Sequence, residues 1–116
     1  IAKEATSGDI NIAVVQYLEA IAKKPSFKID PRTLHMIGTT LIQANRIEEG
    51  VQVFEIYLLQ YKQSKDRGEV ALLLAAKYSR NLNNTKRATE LLKKYASDFS
   101  EQHQKLATTI TNELIS

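Results

Sequence analysis

The chain has no cysteine, and only four glycines and two prolines interrupt its 116 residues. The missing cysteine excludes a disulfide framework, a thiolate metal site and a cysteine nucleophile, and leaves the redox compartment open. No apolar run approaches the roughly 20 residues that span a bilayer, so no membrane insertion is expected of this segment. Ile1 to Glu4 carries neither the basic-then-apolar pattern nor the Arg-rich pattern of a leader. Hydrophobic residues at 43% and charged residues at 25% are ordinary globular composition, enough for one soluble domain with a real core.

Catalytic patterns are missing as well. There is no glycine-rich phosphate loop, no His-Glu-x-x-His and no Ser-x-x-Lys. Ser100 and His103 share a helix face without an orienting acid, which reads as a surface coincidence. Glu48 and Glu49 fall in a helix first turn, where acids meet the positive end of the dipole. His35 has Arg32 at i−3 and Thr39 at i+4, so it lacks a second metal ligand at helical spacing. Asn83-Asn84-Thr85 is formally a glycosylation acceptor but reads as a turn. Tyr17, Phe54, Tyr57, Tyr78 and Tyr95 sit at core spacing and are assigned to packing. The expectation is a protein that is not an enzyme and needs neither cofactor nor metal.

What is present is uneven charge and helical periodicity. The net +3 conceals nine Lys/Arg against three acids in residues 62–94, while the flanking stretches are slightly acidic. Such a region steers an acidic protein surface, an anionic lipid or a nucleic acid toward it, or forms a solvated helical exterior. Apolar residues recur at helical spacing throughout. A first helix is expected from about Asn11 to Lys23, with Ile12, Val15, Leu18 and Ile21 or Ala22 on its apolar face and Pro25 as its stop. A second opens at Asp30-Pro31, where Asp caps and Pro takes the first helical position, and carries Leu34, Ile37, Leu41 and Ile42. A third follows Asn45-Arg46, with Glu48 spaced for a capping box, and carries Val51, Phe54, Leu58 and Tyr61. A fourth starts near Asp66 to Glu69, again at capping-box spacing, and runs to about Leu82. A fifth follows Asn83-Asn84-Thr85 with Ala88, Leu91, Leu92 and Tyr95. A sixth, capped within Asp98 to Glu101, carries Leu106, Ile110 and Leu114. Short turns alternate with longer links, so neighbouring helices should form antiparallel hairpins.

The helices repeat. Leu34-x-x-Ile37-Gly38-x-x-Leu41, a turn at Asn45-Arg46 and Gly50-x-x-x-Phe54 align with Leu72-x-x-Ala75-Ala76-x-x-Ser79, a turn at Asn83-Asn84 and Ala88-x-x-x-Leu92. Gly8-Asp9 and Ala13-x-x-x-Tyr17 fit the same register, so residues 1–6 read as the end of a helix whose beginning lies upstream, and the chain reads as a fragment of a longer protein. Small residues at Ala13, Gly38, Gly50, Ala76 and Ala88 let paired helices approach closely while Tyr17, Phe54 and Leu92 fill the adjacent space.

On these positions the chain resembles the tetratricopeptide repeat family. The spacing of 37 and 38 residues from Ala13 to Gly50 to Ala88 exceeds the family's roughly 34, the surplus falling in the links Ser26 to Asp30 and Gln63 to Arg67. The resemblance implies an all-α fold: a right-handed superhelical stack of antiparallel helix hairpins, an α-solenoid. It divides the single domain into a partial repeat over 1–25, repeats over 30–62 and 66–96, and a C-terminal capping helix over 98–115.

The resemblance also implies a protein-protein interaction scaffold, with a peptide groove along the first helix of each hairpin. Carried over by register, its positions are Arg32, His35, Thr39 and Gln43 on the second helix and Lys77, Arg80 and Asn81 on the fourth. The groove would be polar and basic, with Lys77 and Arg80 placed at i, i+3 to meet one carboxylate of an acidic protein or peptide. His35 and Thr39 stand where chaperone-binding members place Lys and Asn, which argues against chaperone-tail recognition. An incomplete end repeat would leave apolar surface for self-association. The alternatives are a module resembling pentatricopeptide RNA-binding repeats over Leu41 to Phe54, with nucleic acid the less favoured partner, and a regulatory appendage of a larger protein. The cytoplasm is the favoured compartment; the soluble part of a membrane-anchored protein is the other setting.

Overall fold

The computed structural model describes residues 10–24 and 26–115. The turn at Gly8-Asp9, the helix end over residues 1–6 and the Pro25 stop lie outside the described residues. Among the described residues the chain is helical, without strands: α1 (Ile10–Lys23), α2 (Pro31–Gln43), α3 (Ile47–Gln60), α4 (Arg67–Arg80), α5 (Thr85–Lys94), a 3-10 turn (Ala96–Asp98) and α6 (Glu101–Ile115). No described helix is long and apolar enough to cross a membrane. The chain forms two compact units, Ile1–Gln60 and Tyr61–Ser116.

In the first unit α2 and α3 pair as a hairpin, and α1 packs on α2. The start of α2 is fixed by Asp30, whose carboxylate accepts the Thr33 N–H at 2.9 Å, with Pro31 at the first helical position. The Thr33 hydroxyl and then the Thr33 N–H, both donating to it, hold the Asp30 carboxyl below its ordinary range. At the other end Asn45 takes φ 63°, its N–H donates to Ile42 O at 3.0 Å, and the Arg46 N–H reaches back to Leu41 O at 2.8 Å. This is a Schellman closure, and it corrects the capping box expected at Asn45 and Glu48. Asn45 ends α2 rather than starting α3, and the acid held near the start of α3 is Glu49, gripped by Arg46 at 2.7 and 2.6 Å.

The hairpin closes where side chains are smallest. A Cβ on Gly38 would lie 2.7 Å from Cε2 of Phe54, and one on Gly50 would lie 2.6 Å from Cγ1 of Ile42 and 3.2 Å from the Gly38 carbonyl oxygen. The Phe54 ring is fully buried in the space these glycines leave.

The buried face of α1 is a second correction. Ala13, Val14 and Tyr17 face the interior, whereas Ile12 and Val15 are 46% and 51% exposed. Apolar side chains occur around much of α1, so i, i+3 spacing alone matched two stripes. The large Tyr17 ring selects between them by packing against Phe27 at 6.3 Å. The loop carrying Phe27 is tied down again by Gln60, whose amide donates to the Phe27 carbonyl at 3.1 Å.

In the second unit α4 and α5 pair, and α6 packs against both. Asp66 precedes α4 without capping it, because its carboxylate accepts from the Ser64 hydroxyl instead. The expected box with Glu69 therefore does not form. Arg67 spans the unit, donating to Asp98 through Nε at 3.1 Å and to the Ser64 carbonyl at 3.1 Å. Chain at the 3-10 turn comes so close that a Cβ on Gly68 would lie 2.6 Å from the Asp98 carbonyl oxygen. Asn83 takes φ 52°, and Asn84 caps α5 by accepting the Arg87 N–H at 3.1 Å, so the formal acceptor triplet, expected as a turn, runs from the interhelix link into the first residue of α5. On α6 the covered stripe runs through His103, Ala107, Ile110 and Leu114, and Leu106, expected inside, is 39% exposed at its edge.

The two hairpins share an internal register. Thr33, Leu34, Ile37, Gly38, Gly50, Val53 and Phe54 are buried, and so are the residues 38 positions later: Ala71, Leu72, Ala75, Ala76, Ala88, Leu91 and Leu92. The two left-handed asparagines, Asn45 and Asn83, are separated by the same 38 positions.

Candidate functional site

In the first unit Arg32, His35, Thr39 and Gln43 follow one another at i, i+3, i+7 and i+11 along α2, which places them on one face. They are not equally available. Arg32 and Gln43 are exposed, while His35 and Thr39 are half-buried. The imidazole of His35 stands edge-on to Phe54 at 5.1 Å and to Tyr57 at 5.9 Å, and its Nδ1 lies 3.4 Å from the Thr39 hydroxyl. His35 is thus part of the hairpin packing as well as of its polar face. The paired rings of α3 fix its orientation, a constraint that spacing on α2 alone does not reveal.

In the second unit Lys77, Arg80 and Asn81 cluster at the end of α4. Asn81 is the C-terminal cap, its N–H bonded to the Lys77 carbonyl at 2.9 Å. The cations sit where the helix dipole is negative, which favours them there. Lys77 is half-buried, with no carboxylate partner among the described residues. Arg80 has one: Nε donates to Oε1 of Glu113 at 3.0 Å and Nη2 to Oε2 at 2.8 Å. These bonds hold the Glu113 carboxyl below its ordinary range and raise the Arg80 guanidinium above its own. The geometry is the two-armed grip that suits arginine to planar carboxylates. Glu113 is the participant that sequence spacing missed, since 33 residues separate it from Arg80.

Comparison of the chain with protein-family models, with curated proteins and with solved structures finds no match. The three arginines of the basic stretch all face carboxylates, Arg67 with Asp98 at 2.8 Å, Arg80 with Glu113 at 2.8 Å and Arg87 with Glu90 at 3.8 Å. Apart from Arg80, its exposed cations are the lysines Lys62, Lys65, Lys86, Lys93 and Lys94, with the Lys94 ammonium 5.6 Å from the centre of the Tyr95 ring.

An open cleft of about 420 Å³ lies elsewhere in this unit, between Leu92, Ala96 and Phe99 on one side and Gln104, Thr108 and Asn112 on the other. It includes none of the seven positions expected from sequence. The Thr108 hydroxyl is bonded to the Gln104 carbonyl of its own helix at 2.9 Å, so it adds little free hydrogen-bonding capacity to the wall. Ser100, considered above beside His103, spends its hydroxyl on the His103 N–H at 3.2 Å, as an N-cap of α6.

Proposed function

We propose that this chain is a protein-protein interaction scaffold. In this reading its hairpins are tetratricopeptide-like repeats in a right-handed superhelical stack, α6 is the capping helix, and the polar faces of α2 and α4 receive a partner segment. The observation that carries the proposal is the shared register of the two hairpins, with matched small buried residues and a left-handed asparagine at each turn. Repeated hairpins of this kind present first-helix faces in series, and a series of faces suits an extended peptide better than a compact small molecule.

The partner is acidic. Arg80 already holds a carboxylate with both arms, and Lys77 stands one turn before it with no carboxylate partner among the described residues. Arg32 and Gln43 add exposed donors on α2, and the hydroxyl of Thr39 is half-buried beside them. The RNA reading draws less support, because the 38-residue register is longer than a pentatricopeptide repeat and two hairpins would read too few bases for useful specificity.

Panning a random peptide library against the wild-type chain and a Lys77→Glu/Arg80→Glu variant tests this. Acidic sequences should be enriched on the wild type and lost on the variant. No enrichment, or enrichment of sequences indifferent to the variant, would overturn the proposal.

A further inference from the structure

α6 contains two acids, Glu101 at its start and Glu113 near its end, and only the second is turned onto α4. Its carboxylate covers the guanidinium of Arg80 with two hydrogen bonds, 3.0 and 2.8 Å long. The side chains of the pair are 45% and 40% exposed, so both groups are solvated and neither is locked in by packing. Lys77, three residues before Arg80, leaves this corner with two cations and one anion. The corner therefore displays both halves of a recognition event. Glu113 marks where a carboxylate sits, and Lys77 supplies a charge that Glu113 does not cancel.

We propose that Glu113 is an intramolecular stand-in for the partner's acidic residue: in the free protein it occupies Arg80, and an acidic peptide binds by displacing it. This rests on the reading of Lys77 and Arg80 as peptide contacts. The exchange is easy because it swaps one charged hydrogen-bonded pair for another, and the released Glu113 carboxylate passes into water. Glu113 thus sets a threshold. A single carboxylate competes at a disadvantage with it, because Glu113 is tethered to the same chain and pays no association entropy, whereas a segment carrying several acids engages Lys77 as well and outcompetes it. The surface selects for clustered acids.

The threshold is small, because an exposed arginine–carboxylate pair contributes on the order of a two- to fivefold change in an equilibrium. The test is fluorescence anisotropy with a labelled hexa-glutamate peptide on the full chain. Glu113→Gln keeps the side chain's size and removes its charge, and Glu113→Ala removes the contact altogether. Both should bind the peptide about two- to fivefold more tightly than the wild type. Glu101→Gln removes the same unit of charge from the other end of α6 and should leave the affinity within the error of wild type. In an Arg80→Gln background the Glu113→Gln gain should vanish.

Equal gains from Glu101→Gln and Glu113→Gln would reduce the effect to net charge and overturn the inference. A wild type weakened by Arg80→Gln but unchanged by Glu113→Gln would leave the peptide site standing and remove Glu113 from it. No binding of the peptide by any of these chains would overturn both. Tightening toward a single-stranded hexanucleotide RNA, without tightening toward the peptide, would reassign the corner to phosphate and overturn the inference as stated.

Discussion

Gly38→Ala is the sharpest test of how the first hairpin is built. On helix propensity alone, this substitution stabilises an interior helical position by about 1 kcal/mol. Here the new methyl would lie 2.7, 2.8 and 3.0 Å from Cε2, Cζ and Cδ2 of Phe54. Ordinary carbon contacts need about 3.5 Å or more, so the ring must retreat by a large part of an ångström. Phe54 is fully buried, and His35 stands against it at 5.1 Å, so the ring has nowhere open to go. Overpacking of this kind costs about 1–3 kcal/mol, and with little room to yield the upper end applies, leaving a net loss of about 2 kcal/mol. The second hairpin suggests the remedy. At the equivalent register it carries Ala76 with Leu92, a larger small residue with a smaller large one. Phe54→Leu alone should lose about 1 kcal/mol to the space it vacates. Adding Gly38→Ala to it should lose nothing further, a favourable coupling of roughly 2 kcal/mol in a double-mutant cycle measured by urea denaturation. A Gly38→Ala chain more stable than wild type, or strictly additive effects, would refute the close approach of α2 and α3.

Two other perturbations test the same construction. Asn45→Ala and Asn83→Ala should each destabilise by about 1 kcal/mol, because alanine pays the left-handed penalty, while the glycine substitutions should stay within a few tenths; equal effects of alanine and glycine would contradict the turn conformations. Asp30→Ala should cost about 1 kcal/mol at neutral pH by removing the cap of α2. The folded-state carboxyl titrates below the ordinary 3.8, so its contribution is complete above that value and is lost as the pH falls through the lowered folded value. Wild type and Asp30→Ala should therefore converge in thermal stability in acid, and a gap that persists there would argue against the carboxylate as the cap.

The positions of the helices follow from local signals that the fold leaves intact. Asp30-Pro31 opens α2, and Asn84 opens α5, because a side-chain acceptor there satisfies a free N–H whatever the surroundings. The repeat alignment is a better guide to burial than periodicity: it places Ala13 and Tyr17 beside Gly50 and Phe54, and these four are buried, whereas in the stripe read from spacing Ile12 and Val15 are exposed and Leu18 and Ile21 only half-buried. A helix apolar on several sides has no unique moment, and the neighbour that fills the space decides. The misread capping boxes have a related cause. Asn45 and Asp66 each had a second use nearby, closing the preceding helix in one case and accepting from Ser64 in the other. At the candidate site the seven side chains were legible as helix-face positions, but their partners were not. Nothing in local spacing brings Glu113 to Arg80 or the rings of Phe54 and Tyr57 to His35, because those contacts are made by packing between helices.

The measurement closest to the central claim is the affinity of a labelled hexa-glutamate peptide for the wild-type chain and for Lys77→Glu/Arg80→Glu at physiological salt, with a hexanucleotide RNA under the same conditions. Reversing half-buried Lys77 and exposed Arg80, both contacting the ligand, is worth about 1.4 kcal/mol or more, so the peptide should lose about tenfold or more in affinity and the RNA should bind only weakly throughout. Peptide binding that the double variant leaves unchanged, or RNA bound more tightly than the peptide, would contradict it.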